Sequence, residues 1–234
     1  MGIIKVDNIS FGYEDSTIKK SSSVEENEIF RDASFKTNEN DFVIIIGENG
    51  SGKTTLLRLL HFELFPNKGK IFFDKYDSSS VDFTEIPKVR RKISMIYQDL
   101  KLLADRTVFD NIALPLNIAG MNKEQIKKKV NETAEKTGLI NLLGKKPQKI
   151  SGGEQQKTAI ARAVVNNPEI LLADEPTANI DPFETREIIK LLFDFASGGG
   201  SVIVATHDFS IIKEYSYKRI VQIRDKKLLD VKLK

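Results

Sequence analysis

The sequence predicts an α/β fold, a mainly parallel sheet with helices on both faces, and three observations predict it. A glycine-rich stretch, Gly47-Glu48-Asn49-Gly50-Ser51-Gly52-Lys53-Thr54, lies between an apolar run, Phe42-Val43-Ile44-Ile45-Ile46, and a helix-like stretch, Thr55-Leu56-Leu57-Arg58-Leu59-Leu60. A second apolar run, Ile170-Leu171-Leu172-Ala173, ends in two carboxylates, Asp174 and Glu175. After Pro168, buried-type strands alternate with helical stretches, the rhythm of βαβ units whose crossovers cover both faces of a sheet.

The elements follow in order. Ile4, Val6 and Ile9 suggest an opening strand, and residues 30–36 a second. Between them, residues 14–28 are polar, with Ser21-Ser22-Ser23 and mixed charges, and read as a long exposed loop. Residues 41–46 form the strand that feeds the glycine loop, and residues 53–64 the helix that leaves it. A short strand over 70–74 follows the turn Pro66-Asn67-Lys68-Gly69, and another over 92–97 ends at Gln98. From about residue 107 to 166 the pattern turns helical. Asn122 caps one helix there, and Gln125 three residues on completes the pattern of a capping box. Ile126, Val130 and Ala134 give that helix an apolar stripe and Gly138 ends it, while Lys127-Lys128-Lys129 forms its solvated face. Residues 151–156 open a further helix, Lys157 to Val165, with Ser151 as its cap. Residues 170–173 are a buried strand, 182–196 a helix and 201–206 a strand, and Val221 and Ile223 mark a last strand. The early strands and the helical middle read as additions to one core, with no internal repeat.

Composition narrows the function classes. Hydrophobic residues make up 40% of the 234 positions and suit an ordinary globule. Lys plus Arg number 36 against 33 for Asp plus Glu, which argues against a dedicated nucleic-acid binder despite a pI near 8.8. There is no cysteine, so neither disulfides nor thiolate metal sites arise. The longest apolar runs fall far short of the roughly 20 residues that span a bilayer. The residues from Met1 to Asp7 lack the basic start and apolar core of a signal peptide. A cytosolic protein is expected, with no direct membrane insertion, meeting a membrane only through a partner.

The glycine loop fits G-x-x-x-x-G-K-[ST], the phosphate-binding loop of nucleoside triphosphatases. Gly47, Gly50 and Gly52 let the backbone curl, so that amides around Asn49, Ser51 and Thr55 point inward at an anion. The new helix adds the positive end of its dipole. Lys53 reaches the β- and γ-phosphates of ATP, and the Thr54 hydroxyl is placed to hold Mg²⁺. Asp174, at the end of a buried strand, is placed to hold the same ion. Glu175 points the other way, because side chains alternate along a strand, and is a candidate general base for the attacking water. Ser151-Gly152-Gly153-Glu154-Gln155-Gln156 frees amides at a helix start and is a second candidate anion site.

Phosphate loop, then I-S-G-G-E-Q-Q, then I-L-L-A-D-E, in that order, resembles the ATP-binding-cassette (ABC) ATPase family over essentially the whole chain. The resemblance implies a P-loop NTPase fold, the ABC nucleotide-binding domain. It comprises a RecA-like, mainly parallel core, an N-terminal antiparallel β subdomain and an α-helical signature subdomain. Residues 1–97 and 167–234 would form the core with its antiparallel strands, and residues 98–166 the signature subdomain. By the same resemblance Gln98 contacts Mg²⁺ and senses a membrane partner. Ser151, Gly152, Gly153 and Glu154 bind ATP held by a second copy of the chain, Asp181 in Asn179-Ile180-Asp181 belongs to the D-loop, and His207 contacts the γ-phosphate. Tyr13 matches the aromatic that stacks on adenine, with Phe11 the alternative, and His61 is an ordinary helix residue. Ile150, Glu154 and Lys157 depart mildly from the commonest family pattern.

The segment after Gln98, residues 99–116, with its D-R-T-V-F-D-N-I-A-L-P-L run, is similar to the cell-division branch of the family. That branch implies an ATP-dependent homodimer on the cytoplasmic face of the inner membrane. Its partner is an integral membrane protein of the FtsX kind, through which it influences peptidoglycan hydrolases. Lipoprotein-release or macrolide-export ATPases are the alternative. Leu102, Leu103, Val108 and Phe109 are each either core residues or anchors for a partner helix. A soluble ABC protein acting on DNA or ribosomes fits poorly, since one cassette is present without a long heptad or zinc insertion.

Overall fold

A computed structural model describes residues 3–13, 27–207 and 219–231. Two sheets carry the fold. The four-stranded sheet, ordered β2-β1-β4-β5, is antiparallel throughout and consists of β1 (Ile4–Gly12), β2 (Glu28–Lys36), β4 (Lys68–Phe73) and β5 (Tyr76–Asp77). The six-stranded sheet, ordered β10-β9-β3-β8-β7-β6, consists of β3 (Phe42–Ile46), β6 (Ile93–Ile96), β7 (Ile170–Asp174), β8 (Ser201–Ala205), β9 (Arg219–Arg224) and β10 (Lys227–Val231). It is parallel except at its β9–β10 edge. The helices are α1 (Lys53–Leu60), α2 (Ile86–Lys92), α3 (Val108–Ile118), α4 (Lys123–Lys136), α5 (Gly152–Val164) and α6 (Pro182–Ser197).

β3, β7 and β8 read as continuous apolar runs because helices or the second sheet cover both their faces, and their residues are buried end to end apart from Ile46. One face packs with α1, α2 and the antiparallel sheet around Phe30, Leu56, Leu57, Phe62 and Phe73. The other packs on α5 and α6 through Ile160, Ile188 and Leu192, with Phe42 and Phe193 stacked at 4.1 Å between centroids. A third apolar cluster joins α3, α4 and the far side of α5 around Ile112, Val130 and Leu139.

Several boundaries differ from the sequence reading. Of the long loop, residues 14–26 lie outside the described residues, and Glu28 already opens β2. The helix expected to run to residue 64 ends at Leu60. Phe62 takes a left-handed conformation with φ 57°, and Glu63 N–H donates to Arg58 O at 2.9 Å, closing a Schellman turn. Complete burial of the Phe62 ring holds this conformation in a residue without glycine's freedom. Lys92 closes α2 instead of opening a strand. On α4 the Asn122 side chain accepts from Gln125 N–H at 2.9 Å, but the box does not close from the Gln125 side. Complete boxes form at Thr107/Asp110 and Ser151/Glu154, where the third residue is an acid.

Candidate functional site

The parallel strands end at one rim. Ile45 pairs with Ala205, Asp174 with Ala205, and Ile96 with Ala173. The segments that leave β3, β7, β8 and β6 therefore emerge side by side, at the carboxyl edge where open α/β sheets bind ligands. From β3 comes the glycine loop, from β7 Glu175, from β8 Thr206 and His207, and from β6 Tyr97 and Gln98.

The loop's shape is set by its closing glycine. Gly52 caps α1 at φ 101°, and a Cβ there would overlap Ile29. The first amides of α1 are left facing a cavity of about 440 Å³ lined by Asn49, Gly50, Gly52, Lys53, Thr54, Thr55, Gln98, Glu175 and His207, with Ile29 as its apolar wall. Lys53 folds back into this space, donating to Gly47 O at 2.9 Å and Glu48 O at 3.3 Å, with Glu175 Oε1 3.9 Å away. Its ammonium has only carbonyls and one carboxylate edge for company, and an anionic ligand competes for it directly. Ser51 Oγ is buried beside Gly47 without a hydrogen-bond partner.

Asp174 Oδ1 is likewise buried without a hydrogen-bond partner. Burial pushes its carboxyl above the ordinary value, partly opposed by a hydrogen bond from Thr54 and the charge of Lys53. A buried carboxylate oxygen with no donor, beside a hydroxyl, is a donor set of the hard-oxygen kind that suits Mg²⁺. The residues present therefore fit the ion, with Thr54 and Asp174 facing one another and Gln98 across a second cavity of about 620 Å³ that they share.

Glu175 leaves β7 in a left-handed conformation, φ 45°. His207 Nδ1 lies 2.8 Å from Glu175 Oε1, and the His207 backbone N–H donates to Oε2 at 3.3 Å. Tyr13 is exposed at the edge of the site, its hydroxyl 3.2 Å from Thr55 Oγ1, while Phe11 is buried against it edge-on. Of the two aromatics only Tyr13 has a free face.

The second anion candidate lies elsewhere. Ser151 caps α5, accepting from Glu154 N–H at 3.1 Å, and Glu154 Oε2 accepts from Ser151 N–H at 2.7 Å. Gly152 is open, whereas a Cβ on Gly153 would overlap the Glu184 carboxyl, which accepts from Ser151 Oγ at 3.3 Å. Asp181 caps α6, accepting from Phe183 and Glu184 N–H, and those amides hold its carboxyl below the ordinary value. Ser151, Gly152, Gly153, Glu154 and Asp181 line neither cavity of the phosphate loop. The chain thus gathers Tyr13, the loop, Gln98, Asp174, Glu175 and His207, brings Asn179 to the cavity that Thr54 and Asp174 share, and sets Ser151, Gly152, Gly153, Glu154 and Asp181 apart.

Three features were missed from sequence. Arg162 on α5 donates to Leu100 O and Lys101 O at 2.6 and 2.7 Å, where both acceptors have positive φ, tying α5 to the segment after Gln98. Glu184 packs on Gly153. His61 caps the end of α1, buried, with Nδ1 2.9 Å from Glu63 Oε1, and Glu63 also bonds Tyr97 and Arg58. Each joins residues at least 28 positions apart or depends on an irregular turn, and no local pattern signals it.

Comparisons with known proteins show what the chain is similar to. The family described as ABC transporter matches residues 30–178. The cell division ATP-binding protein FtsE of Escherichia coli K12 is 42% identical over 186 residues, covering 80% of this chain and 84% of that protein. FtsE of Bacillus subtilis is 40% identical over 79% of this chain and 81% of its own length. Among solved structures, the cassette MJ0796, a dimer in a post-hydrolysis state bound to ADP and Pi, superposes with a TM-score of 0.85 at 30% identity, covering 99% of each chain. The cassette cbiO1 of Clostridium perfringens superposes at 0.83 with 26% identity, covering 98% of this chain and 88% of its own.

Proposed function

The chain belongs to the ABC transporter family, and from that premise we propose that it is the ATP-hydrolysing subunit of an FtsEX-like cell-division complex. The observation that carries the ATPase reading is the grouping of Lys53, Glu175 and His207 on one cavity, with Glu175 within 2.8 Å of His207 and 3.9 Å of Lys53. The observation that favours the cell-division branch is the likeness to FtsE proteins over some four-fifths of the chain.

In this reading ATP enters with its phosphates on the amides that open α1, and Tyr13 receives the adenine. Lys53 exchanges two neutral carbonyls for phosphate oxygens that carry full negative charge, a gain in direct charge–charge attraction. Mg²⁺, held by Thr54, Asp174 and Gln98, would neutralise charge on the β- and γ-phosphates. Glu175 accepts the proton of the attacking water, and His207 holds that carboxylate in place and donates to the γ-phosphate. Ser151, Gly152, Gly153, Glu154 and Asp181 meet the ATP of a second copy, so the active form is a homodimer. Residues 98–166 act as the signature subdomain, and residues 1–97 with 167–234 as the nucleotide-binding core.

No helix among the described residues is long and apolar enough to cross a membrane. An integral membrane protein of the FtsX kind supplies that function, and the chain sits peripherally on the cytoplasmic face, where the complex regulates peptidoglycan hydrolysis. Of the four apolar candidates after Gln98, Val108 is core, Leu102 and Phe109 pack against core clusters, and Leu103 is exposed. Co-purification from membranes tests the assignment. Leu103→Glu is expected to lose the FtsX-like protein and keep nucleotide binding. Recovery of a solute permease or a lipoprotein-release subunit with the unaltered chain would overturn the cell-division reading.

A further inference from the structure

The cavity that reaches Thr54 and Asp174 has a wall that hydrolysis does not use, made of Arg58, Glu63 and Tyr97 beside Gln98. Glu63 collects donors on both oxygens. His61 Nδ1 lies 2.9 Å from Oε1, the Tyr97 hydroxyl donates to the same oxygen, and Arg58 Nε donates to Oε2 at 3.2 Å. Arg90 of α2 donates to Phe62 O at 2.9 Å and His61 O at 3.3 Å, pinning the chain just before Glu63. Burial by itself raises the Glu63 carboxyl, but the bonds from His61, Tyr97 and Arg58 and the charge of His61 outweigh it and bring it down to about 2. The carboxylate is therefore ionised throughout the neutral range.

Closing α1 does not require this cluster. The helix end is satisfied by its own backbone, Phe62 N–H donating to Leu59 O at 3.1 Å and Glu63 N–H to Arg58 O at 2.9 Å. The extra bonds reach outward to Tyr97, the last residue before Gln98. α1 starts at Lys53 in the phosphate loop, and its eight residues form a rod only about 12 Å long, short enough to pass a shift of its first turn to its last. A charge-assisted bond to a hydroxyl fixes both distance and direction at the receiving end.

We infer that Glu63 is a positioning residue for Gln98, tying the far end of the phosphate-loop helix to Tyr97 so that phosphate binding at one end of α1 sets where Gln98 stands. The inference rests on the proposed contact of Gln98 with the nucleotide and its ion, and adds the device that places it.

Hydrogen exchange of the full chain, with and without a non-hydrolysable ATP analogue and Mg²⁺, tests it in unaltered protein, Tyr97→Phe and Glu63→Gln. Tyr97→Phe keeps the ring that packs on the core and removes only the hydroxyl. In the unaltered chain the analogue is expected to slow exchange over residues 47–57 and 97–102 together. In both variants protection at 47–57 persists, while the nucleotide-linked protection at 97–102 falls about fivefold or more. A purely structural role would lower the melting temperature and leave that linked protection unchanged, and this result overturns the inference. If the unaltered chain shows no linked protection at 97–102, the reading of Gln98 itself fails and the inference with it. Turnover adds a second check: kcat should fall in Tyr97→Phe with KM for ATP held, and an unchanged kcat counts against the proposal.

Discussion

At the scale of single residues, the site is a set of groups held in waiting by one another. Lys53 rests on two carbonyls and Glu175 on His207, so each has a bond to give up when phosphate arrives. Glu175→Gln keeps the shape and removes the base, and ATP hydrolysis should fall by about 10²- to 10⁴-fold with ATP binding retained. Lys53→Ala should instead weaken binding itself, read as a higher Kd by titration with a fluorescent ATP analogue. Glu63 gives a pH signature. Its carboxyl stands at about 2 in the folded chain against an ordinary 4.5, so its contribution to stability is complete above the ordinary value and fades as pH falls toward about 2. In urea unfolding, the gap between the unaltered chain and Glu63→Gln should shrink as pH falls below about 4.5. These roles differ in how far the sequence reveals them. Lys53, Thr54, Asp174 and Glu175 are legible because their chemistry is written in contiguous motifs. Glu63 and Glu184 are not, since a charged side chain just past a helix or in its first turn reads as solvated until its neighbours from distant segments are seen.

At the scale of elements, the helices are fixed by their ends as much as by their stripes. α3 begins with a complete box at Thr107 and Asp110, and Asn111 in its first turn is wholly buried. Its side chain accepts from Leu103 N–H at 2.8 Å and donates to Leu103 O at 3.1 Å and Thr107 O at 2.9 Å. One amide thus fastens the strip that presents Leu103. Asn111→Leu should cost about 1–3 kcal/mol in chemical unfolding, because it strands those backbone groups. It should also reduce capture of the proposed membrane partner although Leu103 itself is unchanged. Gly153 is the corresponding point on α5. A Cβ there meets only the carboxyl end of the Glu184 side chain, which can swing aside, so Gly153→Ala should break the Ser151–Glu184 bond yet leave the melting temperature unchanged or slightly raised through alanine's helix preference. The strands that feed the site were legible as uninterrupted apolar runs. α2, β5 and β10 were not: α2 has only Ile86 and Val89 buried, β5 is two residues long, and β10 is an edge strand with no buried residue. β10 also follows a turn with φ 51° at Asp225 and 63° at Lys226, a tight hairpin made without the glycine that signals one.

At the scale of the whole molecule, the arrangement poses a question that one chain does not answer. The amides that open α1 and those that open α5 both suit an anion, yet the residues around Ser151 line neither cavity of the phosphate loop. A single ATP meets both only when two copies pack head-to-tail, each signature over the other's phosphate loop. The near balance of charge, 36 basic against 33 acidic residues, puts no strong long-range repulsion in the way. The phosphates supply the adhesive, so assembly should depend on ATP and not on protein surface alone. Glu175→Gln traps the bound state by removing the base without changing the fold. Sized by light scattering, this variant is expected to double in mass with ATP and Mg²⁺ and to return to the monomer mass when nucleotide is removed. Ser151→Arg, which places bulk at the signature and spares the phosphate loop, should keep ATP binding and lose the dimer. A mass that stays constant over a wide range of protein concentration, with and without ATP, would show that the two anion sites serve separate ligands and that hydrolysis is completed within one chain.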